Sequence, residues 1–553
     1  MQNREIHIGH TYLEAVFHRA TIPMNPLYKP NWEDQPSRFK MYPHVERIPL
    51  LVEPPPWPIP LSAVLTRKIP ACSSGDFTIE KLSWLLYYAA GILNRRLDIN
   101  WSSSFQQTQY VSALYGRGTP SGGGRYPTEL YLCSGPGNQL LPGLYHYDAA
   151  HHALERLSTG NMTPYVHAAT FHHPAAVVSN QFLLISLNFW KNAFKYGEFA
   201  YYLGTQDVGA LLASLRILEL ALHIDRPFLL WYRDEMLNHL LGLETSQESV
   251  FAVIPLPAIT QTDSTCSKGE DAVSKSEDTA YLQTELGEPK IRRNAFQHSK
   301  RILSFPHMQK IHQATLIDDE PLPRSRAIWE TEYREVQVTG EGIELPRPVL
   351  ERLHTDIFTL FQQRRSSSGR FAQQPAISRA ELATLLYYGS RACLHPCDVY
   401  DDASRLHYTE LMVIINHVEG IKRGVYFYDA YQHFLWATHT EELTASLQHH
   451  YGLLNYNLEQ TGALIAVLGK PEQVLNIYGN RGCRIMNAEV GLVAQSIALV
   501  ATALSLGSGI VAGFDHPAMD RIFGLQETGY RSLLFILVGH ERQNGAHFDD
   551  RLV

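Results

Sequence analysis

The chain has 553 residues, of which 45% are hydrophobic and 18% are charged, and its formal net charge is −8. This composition is typical of a globular protein, and the length predicts two or more domains, each able to bury its own core. The acidic balance, with no basic block, argues against a nucleic acid as partner.

The sequence also argues against export, a membrane and a structural metal. Residues 1–20 do not have the basic start and apolar stretch of a signal peptide. The longest apolar stretch, around 490–511, is interrupted by Gln495, Ser496 and glycines, which predicts a buried helix. Of six cysteines only Cys393 and Cys397 are close, and no second pair completes a zinc site. We expect a cytoplasmic protein with reduced thiols.

Helices and strands are mixed along the whole chain. In chain order, the patterns predict a helix after Thr78, strands at 130–134 and 182–187, a helix that begins with a capping box at Ser378 and Glu381, strands at 411–418 and 463–470, a central helix over 488–506, and a strand at 532–540. The sum is an α+β fold.

Short motifs recur in the same order in both halves of the chain, about 280 to 300 residues apart. Leu-Leu-Tyr-Tyr stands at 85–88 and at 385–388, and GLYHYDA at 143–149 answers GVYFYDA at 424–430. An ordered series of this kind predicts gene duplication and fusion. We divide the chain into a first half (1–260), a polar, acidic linker (261–300) and a second half (301–553).

Three motifs carry the candidate chemistry. The first half has Pro120, Ser121, Gly122 and Gly123 in one loop, and Lys195 next to Tyr196 before a helix. The second half has an arginine- and serine-rich run and a glycine-rich segment, whose candidate residues are Arg364, Arg365, Ser366, Arg370, Gly507, Ser508 and Gly509. Guanidinium forks and hydroxyls suit a phosphate, and glycines allow a close approach of backbone N–H groups to a ligand.

Together these motifs resemble the SagB-type branch of the nitroreductase superfamily, the dehydrogenases of thiazole- and oxazole-containing peptides. Each half of the chain resembles the family, so that the resemblance covers nearly the whole chain apart from the linker. It implies a central antiparallel-type sheet flanked by helices and FMN in a twofold interface. Two fused copies would form that interface within one chain, as an intramolecular pseudo-dimer.

The two halves differ in which motifs they keep. At the place of Gly507–Gly509 the first half has Asp225, Arg226 and Pro227, and its counterpart of the arginine run is only Arg67-Lys68. The second half has Asp402-Ala403-Ser404 at the loop and Ile477 at the lysine position. The resemblance implies that one half binds the FMN phosphate and ring while the other supplies the loop and the Lys-Tyr pair. We expect one competent FMN site per chain.

The implied reaction removes two hydrogens from a thiazoline or oxazoline ring. The flavin takes the hydride, and the protein must supply a base. A tyrosine has an unperturbed pKa near 10, and an adjacent lysine cation favours its phenolate. The resemblance assigns this role to Lys195 and Tyr196, and Asp207 and Glu489, at matching places in the two halves, are expected to be structural.

Several alternatives remain open. The chain is also compatible with an NAD(P)H-dependent nitro- or quinone reductase, and with a non-catalytic flavin-fold scaffold in a biosynthetic complex. The substrate ring is expected on a carrier protein or a precursor peptide, and the short stretch before the first repeat slightly favours a carrier protein. Aromatic residues near the Lys-Tyr pair suit either a substrate pocket or a core: Phe189, Trp190, Phe194, Phe199, Tyr201 and Tyr202.

Overall fold

The computed structural model describes residues 2–68, 77–102, 107–258, 294–323, 342–367, 370–392, 395–399, 408–439, 443–453, 455–542 and 549–551. The helices are α1 (His7–Phe17), α2 (Leu61–Leu65), α3 (Ile79–Ala90), α4 (Thr163–Ala169), α5 (Pro174–Val177), α6 (Phe189–Tyr196), α7 (Ala200–Ala221), α8 (Asp234–Leu240), α9 (Pro306–Ala314), α10 (Ile357–Gln363), α11 (Arg379–Ser390), α12 (Thr444–His449), α13 (Pro471–Tyr478), α14 (Gly482–Ala503) and α15 (His516–Ile522).

The strands of the first half are β1 (Glu46–Pro49), β2 (Asn94–Ser102), β3 (Gln107–Gly116), β4 (Thr128–Ser134), β5 (Gly143–Asp148), β6 (Ala153–Thr159), β7 (Gln181–Asn188) and β8 (Glu248–Leu256). Those of the second half are β9 (Gly342–Glu344), β10 (Phe371–Ala372), β11 (Thr409–Ile415), β12 (Gly424–Asp429), β13 (Phe434–His439), β14 (Ala463–Gly469), β15 (Gly507–Val511), β16 (Arg531–Glu541) and β17 (Asp549–Arg551).

Each half is built around its own antiparallel sheet. The first sheet has the order β1-β6-β5-β4-β7-β8, and the second has the order β10-β16-β14-β11-β12-β13-β9, with β15 also paired to β16. Strands such as β7 and β14 are buried along most of their length, because helices cover the sheets. The expected α+β fold with two tandem domains is therefore confirmed.

The elements of the two halves follow each other at a nearly constant offset. Helix α7 begins at Ala200 and α14 at Gly482, and the starts of α6 and α13 are separated by the same interval. The predicted capping box at the start of α11 is present, since Ser378 and Glu381 each bond the backbone of the other. The central helix predicted at 488–506 begins earlier, at Gly482.

The two central helices, α7 and α14, pack against each other through small residues. A Cβ on Gly209 would collide with the backbone of Ala488, and a Cβ on Gly491 would collide with the backbone of Gln206 and Gly209. Gly209 and Gly491 occupy the same position in their respective helices, so the contact is pseudo-symmetric. Glycine allows the helix backbones to approach where any side chain would hold them apart.

The N-terminal helix of each half packs on the opposite half. Asn480, beside α13, accepts a hydrogen bond from the Gly9 amide of α1 at 2.7 Å. Its counterpart Glu198 accepts hydrogen bonds from the His307 and Met308 amides at the start of α9. The C-terminal strand β17 likewise pairs with β2 of the first half. These exchanged segments tie the halves into an intramolecular pseudo-dimer.

Part of the segment assigned to the linker has a defined position. Residues 259–293 lie outside the described residues, but 294–300 lie on the first half. The Phe296 amide donates to the Met41 carbonyl at 2.8 Å, and Trp190 Nε1 donates to Ser299 Oγ at 2.9 Å. One stretch, Pro471–Ala503, is long and apolar enough to cross a membrane, yet 89% of its most apolar window is buried within the molecule, as in a core helix.

Candidate active site

The loop of Pro120, Ser121, Gly122 and Gly123 is held by a buried carboxylate of the central helix α7. Ser121 Oγ donates to Asp207 Oδ2 at 2.6 Å, and the Gly122 amide donates to Asp207 Oδ1 at 2.9 Å. Burial raises the pKa of Asp207 to about 7, and the two hydrogen bonds oppose that rise. Asp207 thus anchors the loop, and Glu489 binds the Tyr408 amide and the Thr409 hydroxyl at the matching place of the second half.

The structure brings this loop and the Lys-Tyr pair together. Gly123 has a φ of 63°, a conformation that favours glycine. A Cβ at this position would lie 2.8 Å from Lys195 Nζ and would also collide with the Tyr196 hydroxyl. Any side chain on Gly123 would therefore occupy the space directly above both candidate catalytic groups.

Lys195 and Tyr196 are half-buried at the C-terminal end of α6, with Lys195 Nζ 5.0 Å from the Tyr196 ring centroid. Burial and, to a smaller extent, the charge of Asp207 raise the pKa of Tyr196 to about 12, while the charge of Arg125 opposes this rise. Burial and then Arg125 lower the pKa of Lys195. In this arrangement desolvation is the largest influence on the Tyr196 hydroxyl, and it favours the protonated form over the phenolate.

The aromatic residues around the pair belong mainly to the core. Phe189, Trp190, Phe194, Tyr201 and Tyr202 are buried. Only Phe199 of this group is partly open, and its ring stacks on Tyr202 with centroids 5.7 Å apart.

The arginine run of the second half meets the first half beside the loop. Arg364 Nη2 donates to the Arg117 carbonyl at 3.0 Å, shortly before Pro120 in the chain. Among the described residues, Arg364 Nε and Ser367 Oγ are buried and lack any hydrogen-bond partner. A buried hydrogen-bond donor without a partner raises the free energy of the folded state. Two such donors therefore indicate a binding place for a polar ligand.

The predicted glycine segment lies in a strand, β15, that pairs with the arginine run. The Ser367 amide donates to the Ser508 carbonyl at 2.8 Å, and a Cβ on Gly507 would collide with Ser367 Oγ. Gly509 is packed equally closely, 2.6 Å from the Tyr456 hydroxyl at its Cβ position. The absence of a side chain at Gly507 preserves the space around the unpaired Ser367 hydroxyl.

Other members of the arginine run are engaged elsewhere or exposed. Arg365 Nη2 forms an ion pair with Glu541 at 2.8 Å, and Ser366 is exposed. The Arg370 amide donates to the Ser367 carbonyl at 3.1 Å. Arg364 Nε and Ser367 Oγ are thus the unpaired buried groups of the run, and Ser367 was not among the candidate residues named from the sequence.

A ring of contacts joins the two groups of residues. From Tyr196 the aromatic contact runs to Phe199, whose face carries the Arg19 guanidinium at 4.1 Å. Arg19 in turn donates to the Ala512 carbonyl, directly after β15. The phosphate-type residues, the glycine strand, the loop and the Lys-Tyr pair therefore border one region formed by both halves.

At the pseudo-symmetric place in the first half, a carboxylate stands at the position of the glycine and forms ion pairs. Asp225, the counterpart of Gly507, accepts from Arg216 at 2.7 Å and from Arg67 at 3.5 Å. Its side chain thus pairs with the arginine that corresponds to Arg364. On the tyrosine side, the Tyr478 hydroxyl bonds Tyr408 and the Val399 carbonyl, both at 2.6 Å. The counterpart loop, Asp402-Ala403-Ser404, lies outside the described residues.

Two buried polar residues were missed by the sequence patterns. Asn192 is buried, its amide has no hydrogen-bond partner within the described part of the chain, and its Nδ2 lies 3.8 Å from the Cβ position of Gly122. Arg117 is buried with its guanidinium 4.5 Å from the Tyr126 ring centroid. Neither lies in a motif, so only the tertiary contacts identify them. The described residues contain no cluster of three or more metal-ligand side chains.

Comparison with known proteins identifies a family for part of the chain. Residues 361–540 match the nitroreductase family. A protein of Methanocaldococcus jannaschii named as a nitroreductase is 26% identical over 204 residues, which is 36% of this chain and 98% of that protein. A nitroreductase structure from Anabaena variabilis superposes with a TM-score of 0.71 at 21% identity, over 97% of this chain and 99% of its own.

A structure of the E. coli microcin synthetase McbBCD complex is similar over 32% of this chain and 70% of its own, with 21% identity and a TM-score of 0.29. The long superposition on the Anabaena protein includes both halves, so the fused arrangement is a known fold. Residues 361–540 are thus similar to the nitroreductase family, and the chain as a whole has a nitroreductase fold that spans both halves.

Proposed function

We propose that the chain is an FMN-dependent dehydrogenase that oxidises thiazoline or oxazoline rings to thiazoles or oxazoles. The observation that carries the proposal is the contact of Lys195 and Tyr196 with the Pro-Ser-Gly-Gly loop at Gly123. In the second half the lysine position is Ile477, which is buried, and Tyr478 is hydrogen-bonded to its surroundings. The pair is therefore available on one side of the pseudo-dimer.

The described residues fit FMN, which the nitroreductase family generally binds. The unpartnered Arg364 Nε and Ser367 Oγ would hold the phosphate, with the Gly507 backbone beside them. The loop from Pro120 to Gly123 and the strand Gly507–Gly509 would border the ring. Arg365, Ser366 and Arg370 remain proposed contributors on the outer side of the phosphate.

When bound, FMN supplies the acceptor for a hydride from the azoline ring. We assign the proton from the neighbouring ring carbon to Lys195 Nζ, because burial lowers the pKa of this lysine and enlarges its neutral fraction. Tyr196, whose pKa is raised to about 12, keeps its proton and donates a hydrogen bond that orients the ring. One hydride and one proton leave the substrate, which becomes aromatic.

The test is turnover of a thiazoline thioester by the FMN-loaded protein, followed by mass spectrometry for the loss of two hydrogens. Lys195→Met should lower kcat by about 100-fold or more, the usual scale for a general base. Tyr196→Phe should lower it less, and Tyr478→Phe, its counterpart, should leave kcat per folded site unchanged.

The pH profile separates the two roles. The wild-type kcat should rise with pH through an apparent pKa below the ordinary 10.5 of lysine, and the rise should vanish in Lys195→Met but persist in Tyr196→Phe. A protein that leaves the azoline intact and reduces nitro compounds or quinones with NAD(P)H would refute the proposal. A protein that binds no flavin would instead support the scaffold alternative.

A further inference from the structure

Two irregular segments beside the Lys-Tyr pair expose large apolar side chains. In the segment 21–34, Leu27 is 95% exposed, Ile22 70% and Trp32 52%. In the segment 294–302, Phe296 is 52% and Ile302 is 38% exposed. We call these five residues, together with the exposed bases Lys29, Lys300 and Arg301 of the same segments, the docking surface. Large apolar side chains grouped in this way are unusual on a surface without a partner.

The two segments are held against each other. The amides of Lys300 and Arg301 donate to the Asp34 carboxylate at 2.6 and 3.0 Å. The rings of Tyr28 and Phe305 meet edge to face with centroids 5.1 Å apart. The docking surface is therefore one fixed feature of the fold, although its two parts are far apart in the sequence.

The docking surface packs against helix α6, which carries the Lys-Tyr pair. The Trp32 ring packs on Phe194 with centroids 5.3 Å apart, and Phe194 immediately precedes Lys195. The Tyr28 hydroxyl donates to the Phe194 carbonyl at 2.5 Å, and Asn25 accepts from the Glu198 amide at 3.3 Å. A partner seated here would thus lie next to the helix that carries the Lys-Tyr pair.

The charge of the surface differs from that of the chain. Three exposed bases of the two segments, Lys29, Lys300 and Arg301, stand against Glu33 and Asp34, and Asp34 is occupied in joining the segments. The chain as a whole carries a net charge of −8. A basic, apolar surface on an acidic protein suits an acidic partner and disfavours other copies of this chain.

The corresponding segment on the opposite side of the pseudo-dimer is acidic where the structure describes it. By the internal repeat Thr21 corresponds to Thr315, so Met24, Asn25 and Pro26 correspond to Asp318, Asp319 and Glu320. Asp319 and Glu320 form ion pairs with Arg233 and Arg4. In the part of the counterpart segment that the structure describes, residues 315–323, three acidic residues thus stand where the segment beside the Lys-Tyr pair has none.

We propose that this surface docks an acidic carrier-protein domain that presents the azoline on a thioester arm, a proposal that rests on the proposed function. The structure assigns no strand within 20–44 or 294–305, so these segments present side chains and no strand edge for an extended peptide to join. Side-chain docking of a folded acidic domain fits this surface better than strand addition by a precursor peptide.

The test compares a thiazoline thioester on an acidic peptidyl carrier domain with the same acyl group on N-acetylcysteamine. Lys29→Glu/Lys300→Glu/Arg301→Glu should raise KM for the carrier-bound form by about tenfold or more, with kcat and the rate on the small thioester unchanged. Leu27→Ser should raise the same KM. The matched triple reversal Arg347→Glu/Lys422→Glu/Arg521→Glu, at exposed bases of the second half, should change neither.

Binding of the fluorescently labelled carrier domain, measured by anisotropy, keeps the two proposals distinguishable. Binding by the wild type and not by the triple variant supports the surface even if no azoline is oxidised. Oxidation of the small thioester without carrier binding supports the proposed function and overturns the surface. Equal losses in the two triple variants, or binding of an acidic precursor peptide in place of the carrier domain, also overturn it.

Discussion

At the scale of single residues, Arg364 offers a prediction with a matched control. Arg364→Ala should weaken FMN binding by about ten- to a hundredfold, since a charged hydrogen bond contributes about 1.5–3 kcal/mol. Arg67→Ala, at the corresponding position of the first half, should leave the Kd unchanged because Arg67 is paired with Asp225. Titration of the deflavinated protein with FMN measures both values. Equal weakening by the two substitutions would contradict the assignment of the phosphate site.

The sequence named the loop and the Lys-Tyr pair as parts of the same half, and the structure brings them together at Gly123. The sequence did not predict that the Ser367 hydroxyl is buried without a partner, or that desolvation raises the pKa of Tyr196. Both follow from distant parts of the chain that no local pattern records.

Glu219 gives a prediction about pH and stability. Both of its carboxylate oxygens are buried without a hydrogen-bond partner among the described residues, and Arg216 Nη1 lies 4.0 Å away. Burial raises the pKa of Glu219 to about 8, although the charge of Arg216 opposes the rise. The folded protein therefore holds this proton more tightly than the unfolded chain, in which the ordinary value is 4.5. Stability from this group is fully present below pH 4.5 and is lost as the pH rises through 8.

The comparison of wild type with Glu219→Gln isolates this effect from all other titrating groups. Between pH 5 and 8 the wild type should lose stability relative to the variant by about 1 kcal/mol per pH unit or somewhat less. Urea unfolding at several pH values provides the measurement. A difference between the two proteins that stays constant with pH would show that Glu219 is already ionised in the folded state.

At the scale of elements, the repeat in the sequence predicted the order and the type of most helices and strands. The patterns at 182–187 and 463–470 correspond to β7 and β14, because a buried strand is a short apolar run at any position in a fold. The sheet of β2, β3 and β17 was not predicted, and no local pattern could show that the C-terminal strand β17 pairs with β2 of the first half. Nor did sequence predict that residues 294–300 lie on the first half.

The crossing of α7 and α14 can be tested at its glycines. Gly209→Ala places a methyl group against the Ala488 backbone, which cannot move without separating the two helices. We expect a loss of about 1–3 kcal/mol in the free energy of unfolding, the usual cost of overpacking. Gly204→Ala on the same helix meets only the flexible end of Leu187, so its cost should be smaller. Chemical denaturation measures the free energy of unfolding of both variants. Similar losses in the two would mean that the helices shift to accommodate the added methyl group.

At the scale of the whole molecule, fusion removes the requirement that two halves be identical. In a symmetric homodimer each subunit must supply both phosphate ligands and catalytic residues, whereas here Arg364 and Ser367 lie in one half and Lys195 and Tyr196 in the other. Substitutions can then accumulate at the pseudo-symmetric place, where the first half has Asp225 at the position of Gly507. The asymmetry visible in the sequence is thus explained by contacts that only the structure provides.

One FMN per chain is the prediction that follows from this division. At the pseudo-symmetric place, Asp225 already forms ion pairs with Arg216 and Arg67, and its carboxylate would repel a phosphate. Released flavin measured against protein should therefore approach one equivalent in the wild type and remain there in Arg67→Ala. Arg364→Ala should leave the preparation largely free of flavin at low FMN concentration.

Two equivalents per chain would contradict the asymmetric site while leaving the nitroreductase fold intact. Asp225→Gly restores the residue of the second half and removes the internal carboxylate. Since the pseudo-symmetric place has Pro227 for Gly509 and Ile477 for the lysine, this single change should still give one FMN per chain. If Asp225→Gly alone bound a second equivalent of FMN, repulsion between the Asp225 carboxylate and the phosphate, and not the loss of the surrounding motif, would be what prevents flavin binding there.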